Sequence, residues 1–166
     1  MDLIDQVRTD DEFDPLEAAE HVLIAEQKTF ERSEDEIHFA ASTEWTDLHG
    51  VFSWRAEFPA MVLTLAVDMK TPKTRRADVA ALVALLNETL WLGHFDLWSE
   101  DGSVVYRATL PVLGRDGPEP VECAALLAAG VEAVERFYPA FNFLVWAGKT
   151  PEEAAGAVLF ETLGQA

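Results

Sequence analysis

Two residues apart on one predicted strand, His94 and Asp96 come nearest in this chain to a catalytic pair. An imidazole beside a carboxylate can serve as a general base with its orienting acid. They lie in Asn87-Glu-Thr-Leu-Trp-Leu-Gly-His-Phe-Asp-Leu-Trp98, which also carries two tryptophans and a phenylalanine. Covalent catalysis would need a serine or cysteine within reach of that base. Ser99 is five residues from His94, so the strand period turns it to the other face. The residues favour a structural corner instead. A helix stops, Gly93 caps it, and a hairpin follows with Trp91, Phe95 and Leu97 packed inward. An enzyme or small-ligand site using the His94/Asp96 region is the alternative.

The remaining candidates are weaker. His21, His38, His49 and His94 show no ligand spacing of the His-x-x-x-His kind and would meet only through folding. Gly114-Arg-Asp-Gly117 lacks the strand–helix setting and the lysine of a phosphate loop. The acidic runs at 10–12 and 34–36 read as solvated surface. Lys70-Thr-Pro-Lys-Thr-Arg-Arg76 is the one dense basic run, and it precedes a predicted helix. Lys73, Arg75 and Arg76 could contact an anion there, or simply balance the acidic surface. No catalytic residue, cofactor or metal is expected.

Composition narrows the partners. Thirty acids against twelve bases give a formal net charge of −18. Such a surface repels nucleic-acid phosphates and anionic membranes. Half the 166 residues are apolar, enough for one domain with a real core. No run approaches the ~20 apolar residues of a membrane helix. The first residues lack the basic start and apolar stretch of a signal peptide. A single cysteine, Cys123, excludes an intrachain disulfide. A cytoplasmic protein is expected.

Periodicity supplies the elements that would position these groups. Residues 1–13 read as a flexible acidic arm, and 14–166 as a single domain. Asp14-Pro15-Leu16-Glu17 opens a helix ending near 28. Strands follow around 30–32 and 36–41, then a strand with Leu48, Gly50, Phe52 and Trp54 on one face. A long strand aligns Met61, Leu63, Leu65, Val67 and Met69. A helix then buries Val79, Leu82, Val83, Leu86 and Leu90. Asp101-Gly102 joins two hairpin strands. A helix over 121–138 is expected to bend or end at Pro139. Thr150-Pro151-Glu152-Glu153 opens a final helix ending at Gly164. The sum is an α+β fold: an antiparallel sheet of about five strands, helices packed on one side.

Five tryptophans are many for one open-faced sheet, and some must reach the surface. An exposed apolar patch docks proteins. Leu23, Trp45, Trp54 and Trp98 are the candidate anchors, and a free edge strand could add backbone hydrogen bonds.

Three stretches carry a resemblance: Asp68-Met-Lys-Thr-Pro, the run 87–98 above, and Glu135-Arg-Phe-Tyr-Pro-Ala-Phe-Asn-Phe-Leu-Val-Trp-Ala-Gly-Lys149. The chain from 14 to 166 resembles the bacterial YbjN family of sensory transduction regulators, which is similar in fold to the type III secretion chaperones. The resemblance implies helix, three strands, helix, two strands, long helix, with a further C-terminal helix here. It implies a homodimeric, non-enzymatic protein that binds a protein client, chaperone-like or regulatory. The extension from 140 to 166 would cover a surface that those chaperones leave open.

Overall fold

The computed structural model describes residues 13–163, with side-chain environments given as far as residue 159. Apart from Phe13, the expected arm lies outside the described residues, as does the expected stop at Gly164. Strict alternation in the strand segments builds the sheet. Its strands are β1 (Phe30–Arg32), β2 (Glu36–Ser42), β3 (Asp47–Arg55), β4 (Ala60–Lys70), β5 (His94–Leu97) and β6 (Ser103–Pro111). They pair antiparallel in the order β1-β2-β3-β4-β6-β5. The sheet thus has six strands rather than about five, because Phe30–Arg32 pairs with Ile37–Phe39 as a short strand of its own.

Register puts the apolar residues on one face. Leu63 lies opposite Phe52 and Ala108, and Leu65 opposite Gly50 and Tyr106. All of these are buried. The other face carries Glu36, His38, His49, Thr64, Asp96 and Arg107, with Ala60, Val62 and Val105 as buried apolar exceptions. This is the half-solvated antiparallel sheet that alternation predicts.

Four helices are described: α1 (Glu17–Ala25), α2 (Arg76–Asn87), α3 (Pro120–Val145) and α4 (Pro151–Leu163). In α3, Glu119 and Glu122 form a reciprocal capping box, and Pro120 starts the first turn. The helix bears closely on the sheet at Gly130. A Cβ there would lie 2.8 Å from Leu65 Cδ1 and 2.9 Å from Tyr106 Cε1. Pro139 neither ends nor breaks α3, which runs six residues further, to Val145. Phe141 and Leu144 continue the buried stripe and hold that last stretch on the core. Their burial offsets the roughly 3 kcal/mol that an interior proline costs. Thr150 and Glu153 cap α4 reciprocally, as expected. The helix then packs on α2 and α3.

Helix α1 stops at Ala25, earlier than the expected 28. Gln27 turns left-handed (φ 57°). The Gln27 N–H donates to Ile24 O at 3.0 Å and the Lys28 N–H to Leu23 O at 2.9 Å. That is a Schellman stop with glutamine where glycine would be cheapest. Gln27→Gly is therefore expected to raise stability by about 0.5–1 kcal/mol in urea unfolding. An unchanged or lowered midpoint would show that the glutamine side chain makes up for its backbone strain.

Candidate functional site

The segment 87–98 folds as a corner. Helix α2 ends at Asn87, whose amide works as a substitute strand. Its Nδ2 donates to Phe95 O at 3.0 Å, and Phe95 N–H donates to its Oδ1 at 2.8 Å. The outer edge of β5 is sealed there. Gly93 does not cap the helix, as expected from the sequence, but lies six residues beyond it with φ 72°. It is needed because a Cβ would strike the Tyr106 hydroxyl, which donates to Leu92 O at 2.8 Å. Phe95 packs edge-on against Tyr106, Phe137 and Phe141. Leu97 is partly buried against the core, while Trp91 is 86% exposed.

His94 and Asp96 do meet, Nε2 to Oδ2 at 3.1 Å, but on the exposed side of β5. They share that strand face with Arg107 and Val105, their register partners. Cys123 is fully buried, and desolvation, then the charge of Glu122, pushes its thiol up to about 12. Such a thiol is a poor nucleophile. Among the described residues, no group of three or more His, Cys, Asp or Glu side chains is arranged to hold a metal ion. Nor is any helix there long and apolar enough to cross a membrane.

The basic run turns inward. Arg75 donates to Leu144 O at 2.6 Å and to Lys149 O at 3.2 Å, and pairs with Asp78 at 3.1 Å. It thus neutralises carbonyls at the end of α3, where a cation suits the macrodipole. Arg76 donates to Ser99 O at 2.8 Å and to Thr71 O at 3.4 Å. Lys73 stays exposed.

A groove of about 770 Å³ lies where the end of α1, the β2–β3 turn, α3 and α4 leave a gap. Its apolar lining is Trp45, Leu127, Val131, Pro139 and Val158, with Ala128 between them. Four carboxylates, Glu26, Glu44, Glu132 and Glu135, line it against two cations, Lys28 and Arg136. Lys28 is held by Glu26 at 3.7 Å, and the Arg136 guanidinium lies 4.7 Å from the Phe137 ring centroid.

Trp45 is braced by a consequence of Pro139. Proline has no N–H, so the carbonyl four residues earlier, on Glu135, loses its helical donor. The Trp45 indole supplies the replacement, Nε1–H to Glu135 O at 3.1 Å. The tryptophan is thereby fixed in place while half its surface stays exposed. Its backbone is set by Thr43, whose hydroxyl accepts from the N–H groups of Trp45 and Thr46 at 3.2 Å each.

A model of the YbjN family, described as "Putative bacterial sensory transduction regulator", matches residues 15–143. The chain belongs to the YbjN family. A solved structure, "Crystal structure of YbjN, a putative transcription regulator from E. coli", is similar in fold, with a TM-score of 0.53 and 11% identity. The likeness covers 72% of this chain and 85% of that one. No curated protein matches the chain. The YbjN match takes in Trp45, Glu135 and Pro139 and stops before α4. Within the groove, α4 forms a wall through Val158.

Of the anchors expected from sequence, Trp45 alone lines the groove. Trp98 is 41% exposed at the end of β5, Trp54 is partly buried against the core, and Leu23 is wholly buried. Leu23 sits on the inner stripe of α1 with Ala19 and Val22, so it serves packing. Sequence reasoning missed Leu127, Val131 and Pro139 as groove residues. The available signal was a proline inside an apolar helix pattern, which implies an orphaned carbonyl without saying what answers it.

Two stability tests follow. Asn87→Ala leaves both Phe95 backbone groups without that partner, and a loss of about 2 kcal/mol is expected in urea unfolding; a loss under ~0.5 kcal/mol would mean water replaces the amide. Trp45→Phe is expected to cost about 1 kcal/mol in the native background and much less beside Pro139→Ala, where an alanine N–H reclaims the carbonyl. Equal costs in both backgrounds would disconnect Trp45 from Pro139.

Proposed function

We propose that this protein is a non-enzymatic protein-binding module, chaperone-like or regulatory, that works in the cytoplasm as a homodimer and receives a protein segment in the Trp45 groove. The observation that carries the reading is the braced, half-exposed Trp45 beside an apolar strip with an acidic rim. Held aromatic side chains are the usual centres of binding energy, because little rotamer freedom remains to be lost on docking. The rim selects the occupant. Four carboxylates around an apolar floor complement a segment with one or two apolar anchors flanked by lysine or arginine. The overall charge of −18 steers such a segment in and keeps the loaded complex soluble. The family's description as a regulator agrees with recognition rather than turnover. The buried thiol of Cys123 and the exposed setting of the His94–Asp96 pair fit the same reading.

A photo-crosslinking residue at Ala128, exposed within the groove, tests this directly. It is expected to trap a discrete protein in cells, through a segment rich in lysine or arginine. Trp45→Ala should reduce capture at least tenfold, as should the charge reversal Glu132→Lys with Glu135→Lys. The same crosslinker at Thr109, exposed on β6, should trap little. Equal capture from both positions, or capture indifferent to the groove variants, would overturn the reading. Light scattering should give twice the 18.4 kDa chain mass, and a monomer would remove the dimer from it.

A further inference from the structure

We infer that His38 and His49 form a chelating pair for a divalent transition-metal ion on the open face of the sheet. This site is independent of the groove. Register fixes the two residues: His38 stands opposite Val51 and His49 opposite Ala40, so they are diagonal neighbours on one face. Their facing nitrogens, His38 Nδ1 and His49 Nε2, are 3.1 Å apart.

A third residue sets the tautomer. His38 Nε2 lies 2.9 Å from Glu36 Oε2. An ionised carboxylate only accepts, so Nε2 donates to it, which in the neutral tautomer leaves the lone pair at Nδ1. His49 then donates its Nε2–H to that lone pair. Moving this proton to the other nitrogen of His49 leaves two lone pairs side by side, one from each strand. Glu36 is itself held, since its second oxygen accepts from the Ser53 hydroxyl at 3.4 Å. A carboxylate behind a histidine, fixing its ring and raising its basicity, is the usual support of a metal-ligating imidazole.

Affinity for imidazole, more than spacing, selects among ions. Metal–nitrogen bonds of about 2.0–2.1 Å spanning this separation subtend about 100° at the ion. That angle lies midway between the right angle of tetragonal or octahedral coordination and the tetrahedral one, so both geometries are within reach. Cu²⁺ accepts such geometry and leads the divalent series in affinity for imidazole. The ring centroids are 5.2 Å apart with planes tilted 41°, close to head-on, so each ring must turn to aim its lone pair at the ion. Both side chains are solvent-accessible enough to do so. Glu31, opposite His38 on β1, adds negative charge beside the pair. Water completes the coordination.

The untagged full-length chain titrated with Cu²⁺ at neutral pH tests the assignment. Calorimetry is expected to show a micromolar site, and electron paramagnetic resonance to show two equatorial imidazole nitrogens in the unmutated protein. His38→Ala and His49→Ala should each weaken the site at least tenfold. Glu36→Gln should weaken it about tenfold, as loss of an orienting partner does. His94→Ala should leave it unchanged, and circular dichroism will confirm that the variants fold. Absence of micromolar uptake, a spectrum with fewer than two imidazole nitrogens, or affinity unmoved by His38→Ala or His49→Ala would each overturn the assignment.

Discussion

A sheet that buries one face must place everything else it does on the other face or along the helices that cover it. Here the covered face is continuous from Ile37 on β2 to Phe95 on β5. Helix α3 bears closely on it at Gly130, where Leu65 and Tyr106 leave no room for a methyl group. The other helices arrange themselves around α3. The groove is the part of its outer surface that α1, the β2–β3 turn and α4 fail to close.

Pro139 links that packing to the groove. The proline weakens the helix locally but leaves a carbonyl seeking a donor at the groove. Trp45 answers it from the β2–β3 turn, ninety residues away in sequence. A side chain that would otherwise be a mobile surface aromatic is thereby placed beside Leu127 and Val131 in the groove lining. The flanking carboxylates of Glu132 and Glu135 come from the same helix, so shape and charge of the site share one rigid support.

Much of the fold was legible in the sequence because alternation and helical spacing are local signals. The inner row of β4, the Asp101-Gly102 turn and the Thr150 cap could be read directly. The corner at 87–98 was legible as a corner, although the amide pairing of Asn87 with Phe95 was not. Side-chain mimicry of a strand has no compositional signature. Whether Pro139 bends or ends the helix could not be read from propensity alone, and burial of Phe141 and Leu144 beyond it decides for continuation. The meeting of His38 with His49 depends on strand register, which no spacing rule for helical ligands describes. Trp45 was one candidate anchor among four, and burial of Leu23 and partial burial of Trp54 against the core, with the tertiary hydrogen bond of Trp45, separate it from them.

The most direct measurement is hydrogen exchange at the five tryptophan indole N–H groups, resolved by nuclear magnetic resonance. Half-exposed Trp45 should nevertheless be protected, because its N–H is engaged by Glu135, whereas Trp91 and Trp146, 86% and 74% exposed, should exchange freely. An indole of Trp45 that exchanges as fast as that of Trp91 would contradict a preformed groove, and with it the proposed mode of recognition.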